Sequence, residues 1–441
     1  MFDVQDNAFG HIGTATIPVA SEEIGFQILK QKFHAEVVDC LDLAAANTLS
    51  RAQLCRELED VVETIAREKN WPIPSDQKQR LLAELPDELF GLGPIQSLLT
   101  DPDVSDILVN HAHEVFVEKK GQLSRADIVF ADNNHLLRII QRVVSHVGRR
   151  IDESSPMVDA RLPDGSRINA IIPPLALDGP KLSIRRFGQY KLQLEDLVKN
   201  ETISRRVATF LKAAVEARKS FLISGGTGSG KTTLLNALSG CIPDDERIVT
   251  IEDSAELLLQ HRHVARLETR PANSENAGEF NQRDLVRNSL RMRPDRIIVG
   301  EVRGPEALDM LQAMNTGHEG SLTTIHANDT HDAISRLEMM VAMARLELPS
   351  PVVQSYICSG ISILVHLSRL KGGARRVLRI SELEKLESGY TTKDIFVYRR
   401  SGADVDGVPV GNFTALNTPN CYQSIIDAGI DLDESIFKKN G

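Results

Sequence analysis

The chain has 441 residues, a formal net charge of −10, and 41% hydrophobic and 25% charged residues. This length exceeds the usual single-domain range, so we expect two or three domains, each with its own core. The composition excludes collagenous and disordered chains, and no apolar run approaches the length that spans a bilayer. The acidic N-terminus lacks the basic start and apolar segment of a secretory signal, which predicts a cytoplasmic protein.

Cysteine content and charge exclude further classes. The five cysteines are scattered, without the C-x-x-C spacing typical of zinc or redox sites, and we expect most of them to be small buried apolar residues. An acidic chain lacks the excess of cations on which general affinity for nucleic acid depends. We therefore expect no nucleic-acid partner, although a local basic path is compatible with this charge.

The N-terminal part of the chain is predicted to be helical. Residues 1–20 carry no periodicity and are expected to form a flexible tail. Apolar residues at helical spacing predict helices at about 24–41 and 54–65, and a third helix is expected over 76–85. We interpret residues 21–85 as a small helical segment.

Residues 86–187 are predicted to form an α+β domain. A glycine and proline break at 90–95 precedes a change to alternating periodicity. Strands flank one amphipathic helix and a hairpin whose turn is Pro163-Asp-Gly-Ser166, which is typical of an α+β arrangement. The predicted strands are 107–109, 115–117, 128–130, 158–162 and 168–172, and the helix is 136–144.

After an expected linker at 188–200, residues 201–441 alternate strands with helices. Such alternation predicts a mainly parallel sheet covered by helices. A late hairpin is expected around Lys371-Gly-Gly373. The predicted strands are 221–223, 247–251, 296–299, 321–325 and 361–365, and the first helix covers 207–215.

A phosphate loop follows the first of these strands. Gly225 through Gly230, Lys231 and Thr232 fit the pattern G-x-x-x-x-G-K-[ST] between an apolar strand and a helix. Backbone N–H groups at such a helix start bind anionic phosphate oxygens, the lysine adds charge at the β and γ phosphates, and the Thr232 hydroxyl completes a Mg²⁺ shell. The residues predicted to bind ATP are Gly225, Gly226, Thr227, Gly228, Ser229, Gly230, Lys231, Thr232 and Thr233.

Two glutamates at strand ends are candidates for the hydrolytic chemistry. Glu301 follows the strand 296–299, and we expect it to position or deprotonate the attacking water. Gly300 stands where the usual motif carries aspartate, which leaves the metal contact to Thr232, waters and Glu252. Glu252 is interpreted either as a metal-water group or, with its acidic neighbours, as part of a solvated N-terminal helix turn.

Histidine and arginine candidates complete the site. His326 follows the strand 321–325, where an imidazole can donate to the γ-phosphate, whereas His318 precedes the same strand. Arg167 and Arg185 lie in the α+β domain, and an arginine from another domain or subunit is a recurrent stabiliser of transferred phosphoryl charge. The alternative for each arginine is an ordinary surface position. Arginines 283, 287 and 291 are expected to form a solvated or intersubunit salt-bridge face.

The combination resembles the secretion ATPase superfamily. Besides the phosphate loop, the resemblance rests on the motifs Thr250-Ile-Glu-Asp253, Ile298-Val-Gly-Glu301-Val-Arg303 and Gly317-His-Glu-Gly-Ser-Leu-Thr-Thr-Ile-His326. Motifs further upstream resemble the Tad/Flp pilus assembly branch in particular. These are Gly91-Leu-Gly-Pro-Ile95, Val104-Ser-Asp-Ile-Leu-Val-Asn110, Asp159-Ala-Arg-Leu-Pro-Asp-Gly-Ser-Arg-Ile-Asn169 and Leu182-Ser-Ile-Arg-Arg-Phe187.

The resemblance implies a RecA-like ATPase domain at the C-terminal side and a homohexameric ring that couples hydrolysis of Mg-ATP to mechanical work. It implies Glu301 as catalytic carboxylate, Glu252 as the acidic residue of its box, His326 as γ-phosphate contact, and Arg167 and Arg185 as clamping arginines. It also implies an inner-membrane platform protein as partner, pilin as indirect partner, and peripheral membrane association through those partners. The chain lacks the four-cysteine zinc module of the type II secretion relatives.

Two other function classes fit the sequence less well. A RecA-type nucleic-acid motor requires a basic channel with stacking groups, and one Trp and five Tyr in an acidic chain disfavour it. A GTP-dependent switch requires an N-K-x-D or T-K-x-D motif, which the sequence lacks. The leading hypothesis is therefore a cytoplasmic motor, acting at the inner face of the membrane, for pilus assembly or retraction or for protein secretion. A RecA-type nucleic-acid motor and a conjugation-type ATPase that secretes DNA or protein stay as the alternatives.

Overall fold

The computed structural model describes residues 21–46, 48–119, 121–186, 192–270, 278–344, 348–386, 389–403 and 409–438. The predicted tail at 1–20 and the first part of the predicted linker therefore lie outside the described residues. The chain divides into two compact units, residues 1–187 and 188–441, and each unit contains one large sheet.

The first unit begins with helices that pack around their own apolar core. Ser50 caps the second long helix through a capping box with Gln53, which satisfies backbone donors at its start. Phe33, Leu58 and Leu81 are among the fully buried residues at the centre of this core. The predicted helices 24–41 and 54–65 are confirmed. The helices are α1 (Ser21–Cys40), α2 (Leu43–Ala46), α3 (Arg51–Glu68) and α4 (Ser75–Phe90).

Helix α4 is longer than predicted. The sequence predicted an end at Leu85, before Pro86, yet the helix continues to Phe90. Proline has no N–H for the carbonyl four residues earlier, which usually ends or kinks a helix. Here the thiol of Cys55 donates to the carbonyl of Leu82 over 3.9 Å and meets the freed acceptor.

The six strands of the first unit form one antiparallel sheet. Its spatial order is β3-β2-β1-β6-β5-β4, with β6 between β1 and β5. The elements are α5 (Gln96–Thr100), β1 (Val104–His111), β2 (Glu114–Lys119), β3 (Gln122–Arg125), α6 (Asn133–His146), β4 (Met157–Arg161), β5 (Arg167–Ile171) and β6 (Lys181–Arg185), and Gly93–Ile95 form a short 3-10 helix. The predicted helix and the hairpin around Pro163-Asp-Gly-Ser166 are confirmed.

The predicted strand at 128–130 is wrong. The third strand is β3, because the chain turns after Lys119 and pairs at once, with Lys119 opposite Gln122. Val129 and Phe130 are apolar because they are buried in the first unit. They do not belong to a strand of its sheet. The error arises because a buried segment without strand pairing and a buried strand show the same apolar run in sequence.

A buried charge network joins α1 and α4 to α6. The Glu88 side chain is 2% exposed, and its Oε1 lies 2.7 Å from Nε2 of His135, while Nζ of Lys30 lies 3.6 Å from its Oε2. Burial opposes ionisation of Glu88, but the bond and charge of His135 and the charge of Lys30 lower its pKa to about 2. An ionised buried carboxylate thus links the helical segment to helix α6 of the α+β part.

The second unit carries a nine-stranded sheet. Its strands are β7 (Phe221–Gly225), β8 (Ile248–Glu252), β9 (Val264–Glu268), β10 (Arg296–Val299), β11 (Leu322–Ile325), β12 (Ile363–Arg369), β13 (Arg375–Lys385), β14 (Tyr390–Ala403) and β15 (Pro409–Ala415). Its helices are α7 (Leu194–Lys199), α8 (Arg205–Glu216), α9 (Lys231–Ser239), α10 (Gln282–Ser289), α11 (Glu306–Asn315), α12 (Thr330–Ala342), α13 (Ser350–Gly360) and α14 (Cys421–Asp427), and Glu434–Phe437 form a 3-10 helix.

The sheet is mainly parallel, as predicted. Its order is β15-β14-β13-β12-β7-β11-β10-β8-β9, and all pairs from β12 to β9 are parallel. The last three strands are antiparallel, and the sequence indicated only the first of these turns. Because parallel strands end at one edge, the chain segments that follow β7, β8, β10 and β11 meet there.

Helices cover both faces of this sheet. Phe221 and Ile223 pack with α7, α8, α9 and α14, whereas Leu222 between them packs with α10 to α13. Leu194 and Leu197 of α7 are buried in the core that α7 shares with α8, α9 and α14. Part of the segment that was predicted as a linker is therefore a packed helix. No helix in the described part of the chain is long and apolar enough to cross a membrane.

The expectation for the cysteines is wrong. Cys40 is exposed and the other four are half-buried. Cys241, Cys358 and Cys421 pack against the apolar cores of the second unit without being fully buried, and the thiol of Cys55 donates to a main-chain carbonyl. A small side chain with a weak donor fits such positions as well as it fits a fully apolar interior.

Candidate functional site

The phosphate loop connects β7 to α9 at the edge where the parallel strands end. All five residues of β7 are buried between β11 and β12. Gly230 has φ +99° and starts the helix in a conformation that other residues rarely adopt. Gly225 is required for a different reason, because a Cβ there would lie 2.4 Å from the carbonyl oxygen of Leu367.

Lys231, the first residue of α9, folds back over the loop. Its side chain is 8% exposed, and Nζ donates to the carbonyls of Gly225 over 3.0 Å and Gly226 over 3.1 Å. Burial lowers the pKa of the Lys231 ammonium, and the charge of Glu301 opposes that shift. Thr232 and Thr233 follow on the first turn of α9 and are half-buried. A cation and helix N–H groups therefore meet in the loop, an arrangement that binds phosphate.

Glu301 lies at the centre of an ionic cluster beside Lys231. Its Oε1 is 2.8 Å from Nε2 of His326, and its Oε2 accepts from Nε of Arg303 over 2.6 Å. Nε2 of His326 is also 3.4 Å from Nζ of Lys231. Arg303 extends the cluster to Asp253, with Nη1 3.6 Å from Oδ2. The structure thus brings together Lys231, Glu301 and His326, which lie far apart in sequence.

Burial controls the charge of His326. Removal from water lowers the pKa of the imidazole, while the carboxylate of Glu301 acts in the opposite direction. The ring is therefore held close to neutrality between a lysine and a glutamate. A neutral imidazole presents one donor and one acceptor nitrogen, so His326 can bond to a carboxylate or to a phosphate oxygen. His318 lies before β11, at the opposite end of the strand.

Glu252 ends β8 and is buried, with 3% of its surface exposed. Its Oε2 accepts from the backbone N–H groups of Glu256 over 2.6 Å and Leu257 over 2.7 Å. Burial raises the pKa of Glu252 to about 7 despite these bonds. The alternative of a solvated helix turn is wrong, because Glu252 is buried and residues 255–261, all described, are not helical.

The packing of Glu252 also explains the unusual Gly300. A Cβ at Gly300 would lie 3.1 Å from Cγ of Glu252, tighter than most carbon contacts, so the glutamate side chain fills the space beside this residue. Oε1 of Glu252 is buried without a hydrogen-bond partner among the described residues. An acidic side chain from the neighbouring strand thus occupies the place that the sequence motif assigns to aspartate.

Arg167 and Arg185 belong to the first unit. They are direct cross-strand neighbours on β5 and β6, and both are exposed. Nε of Arg185 pairs with Oδ1 of Asp106 over 3.1 Å, and Asp106 lies opposite it on β1. The two arginines are therefore neighbours on one face of the sheet, and the carboxylate of Asp106 lies beside them.

One expected arginine face is present, and one arginine was missed. Arg283 and Arg287 form salt bridges with the buried Asp309 of the same unit, over 2.6 and 2.8 Å, and the Arg287 side chain is 57% exposed, so these two residues form a solvated salt-bridge face. Arg303 was not among the candidates. Its position two residues after Glu301, where both side chains leave the same strand end, is the signal that could have identified it.

Comparison with known proteins places this chain in a family. Residues 88–402 match the family described as Type II/IV secretion system protein. A putative conjugal transfer protein of Mycobacterium tuberculosis is 40% identical over 312 residues, which cover 69% of this chain and 88% of that protein. The type IV secretion system protein PtlH of Bordetella pertussis is 35% identical over 314 residues, 65% of this chain and 92% of the relative. The crystal structure of the Brucella suis VirB11 ATPase covers 65% of this chain and 94% of its own, with 28% identity and a TM-score of 0.36.

Proposed function

Because this chain belongs to the family of type II/IV secretion system proteins, we propose that it is an ATPase motor that drives secretion or pilus assembly. The observation that carries the proposal is the meeting of Lys231, Glu301 and His326 at the end of one sheet. Two cationic or neutral donors and one carboxylate beside a phosphate loop suit phosphoryl transfer to water. In this proposal the second unit is a RecA-like domain at the C-terminal side of the chain.

The proposed hydrolysis assigns one task to each of these side chains. Lys231 donates to the β and γ phosphates in place of the two loop carbonyls that it now contacts. Glu301 orients the attacking water and accepts its proton as the new bond to the γ-phosphorus forms and the bond to ADP breaks. His326 bonds to the γ-phosphate and transmits its loss to Glu301. The remaining residues of 225–233 surround the phosphates with backbone N–H groups.

The residues present suit a magnesium ion, which the family implies. The Thr232 hydroxyl and the carboxylate of Glu252 are hard oxygen donors of the kind that Mg²⁺ prefers, directly or through water. The buried Oε1 of Glu252, unpartnered among the described residues, is suited to accept from a metal-bound water. Bound Mg²⁺ would neutralise charge on the phosphates. Glu252 would hold that water, and the missing side chain at Gly300 leaves room for Glu252 itself.

We propose that the active form is a homohexamer in which Arg167 and Arg185 of one subunit act on nucleotide bound to the next. Their cross-strand pairing supports this proposal, because two adjacent guanidinium groups match the several oxygens of a polyphosphate. Mixing Arg185→Ala subunits with Lys231→Ala subunits tests it. Mixed rings contain some sites with both residues intact, so activity should recover partly. Absence of recovery at every ratio contradicts the proposal.

The proposed site of action is the cytoplasmic face of the inner membrane, at a platform protein that passes the motion to pilin subunits. The upstream motifs at 91–95, 104–110, 159–169 and 182–187 favour the Tad/Flp pilus branch. A conjugation-type secretion motor is the second candidate, favoured by the 40% identity to a putative conjugal transfer protein. No nucleic-acid contact is part of either proposal.

Stimulation of ATP hydrolysis separates these functions. The chain is assayed alone, with membranes that contain a Tad-type platform protein, with membranes that contain a conjugation-type partner, and with single-stranded DNA. The Lys231→Ala variant provides the background rate. Stimulation by the Tad-type platform alone supports the pilus motor, whereas stimulation by DNA alone contradicts both proposals.

A further inference from the structure

A second element, besides the phosphate loop itself, reaches the nucleotide side of the second unit. Strand β12 runs parallel to β7 with Leu367 opposite Gly225, the last residue of β7. It therefore continues past the end of β7 by two residues before the chain turns into β13. The turn is closed by a bond of 2.7 Å from the N–H of Leu370 to the carbonyl of Ala374. This β12–β13 turn, residues 369–375, lies beside the phosphate loop.

The β12–β13 turn contacts the loop through arginine. Nε of Arg375 donates to the carbonyl oxygen of Gly228 over 3.0 Å. A Cβ at Gly230 would lie 3.3 Å from Cδ of Arg375, and a Cβ at Gly228 would lie 3.6 Å from Nη1 of Arg369. Both glycines thus have an arginine of the turn as their neighbour. With Lys371, the turn carries three cations and no acidic residue.

The bond to Gly228 has a consequence for the peptide group that follows. A trans peptide is planar, and its C=O and N–H point in opposite directions. A donor that holds the Gly228 carbonyl therefore fixes the direction of the Ser229 N–H as well. Gly228 and Gly230 both have positive φ, so this short segment has little intrinsic preference that would hold it in place. Within the loop the N–H of Ser229 donates to the Gly226 carbonyl over 3.3 Å, and the bond from Arg375 holds the same peptide group from outside the loop.

We infer that Arg375 is a positioning residue of the nucleotide site, which holds the phosphate loop in its binding shape from the β12–β13 turn of the same subunit. The ligand class is a nucleoside diphosphate or triphosphate, whose charge the neighbouring cations Arg369 and Lys371 also favour. The inference rests on the proposed function, because it concerns the same phosphate loop. It adds a contact that follows the histidine motif by 49 residues and that none of the family motifs includes.

Affinity for ADP tests the inference. Arg375→Ala should raise the Kd of ADP and the KM of ATP at least tenfold, while kcat at saturating ATP changes less than threefold. Arg375→Lys keeps a cation with a donor on a long side chain and should recover part of the lost affinity. The melting temperature of the ADP-free chain is measured in parallel, because a purely structural role would lower it without changing the ratio of KM to kcat.

Arg379→Ala is the matched control. Arg379 lies on the same strand, but its Nη1 pairs with Oδ2 of Asp394 over 2.7 Å, away from the loop. This variant should bind ADP like the wild type. Two results overturn the inference but not the proposed function. In one, Arg375→Ala binds ADP as tightly as the wild type; in the other, Arg379→Ala loses as much ADP affinity as Arg375→Ala. If Arg375→Ala does not fold, the variants Arg375→Lys and Arg375→Gln are measured instead. The inference is overturned if both bind ADP with wild-type affinity. A wild-type chain that binds no ADP overturns the proposed function itself.

Discussion

The substitution Glu301→Gln tests the assignment of the catalytic carboxylate while it changes the fold little. Glu301 accepts from Arg303 on one oxygen and contacts His326 with the other. A glutamine keeps the first bond through its carbonyl and turns its amide toward Nε2 of His326. Because burial lowers the pKa of His326, the neutral ring can accept that bond. The cluster therefore retains its hydrogen bonds but loses the negative charge.

Glu301→Gln should change the stability of the fold much less than the rate of hydrolysis. The lost ion pair with Arg303 is partly screened, since the Arg303 side chain is 60% exposed, and is worth about 0.5–1 kcal/mol of stability. Loss of the proton acceptor should lower kcat about 10²–10⁴-fold, which corresponds to about 3–5 kcal/mol of activation free energy. The affinity for ATP should stay within about threefold, because the phosphate contacts from 225–233 are intact.

The assay combines ATP binding at equilibrium with single-turnover hydrolysis, so that a defect in binding or product release is not mistaken for one in chemistry. Glu306→Gln is the control, because Glu306 accepts from the backbone N–H groups of Arg303 over 2.7 Å and Gly304 over 2.8 Å, bonds that glutamine can also accept. Its kcat should match the wild type within about twofold. A Glu301→Gln variant that hydrolyses ATP at the wild-type single-turnover rate refutes the assignment.

Two further predictions concern stability. Because the folded pKa of Glu88 is lowered to about 2, its contribution of about 3 kcal/mol is present above the ordinary carboxyl pKa and is lost as pH falls from about 4.5 to 2. Glu88→Gln should therefore weaken this acid dependence, as followed by fluorescence of Trp71 in the same helical segment; an unchanged difference between pH 5 and 2 would contradict it. Gly225→Ala should destabilise the second unit by about 2 kcal/mol or more, because its Cβ would overlap the Leu367 carbonyl oxygen, and a melting temperature equal to the wild type would refute that argument.

The sequence alone predicts those parts of the site whose position depends on a local pattern. The phosphate loop is defined by glycine spacing between a strand and a helix, and the parallel sheet follows from the alternation of elements. Glu301 and His326 could be predicted to lie at one edge because both follow strands of that sheet. Their 2.8 Å contact confirms that they meet, although their catalytic roles stay predictions.

The parts that sequence pattern missed depend on long-range contacts. The thiol of Cys55, on another helix, donates to the Leu82 carbonyl that Pro86 leaves free, and no local pattern contains that partner. The exposure of Glu252 stayed open because burial at a strand end depends on the neighbouring strand, where Gly300 leaves room. The contact of Arg375 with Gly228 depends on how far β12 continues past β7, which is set by strand register.

The central claim is that this chain hydrolyses ATP at the phosphate loop, and Lys231→Ala tests it most directly. Nζ of Lys231 donates to the loop carbonyls of Gly225 and Gly226 over 3.0 and 3.1 Å, and in the proposed hydrolysis it donates to the β and γ phosphates instead. Steady-state hydrolysis of Mg-ATP by purified wild-type and Lys231→Ala chains should differ at least about 100-fold, as expected for loss of about 3 kcal/mol of transition-state stabilisation. Equal rates of hydrolysis in the two proteins would contradict the account.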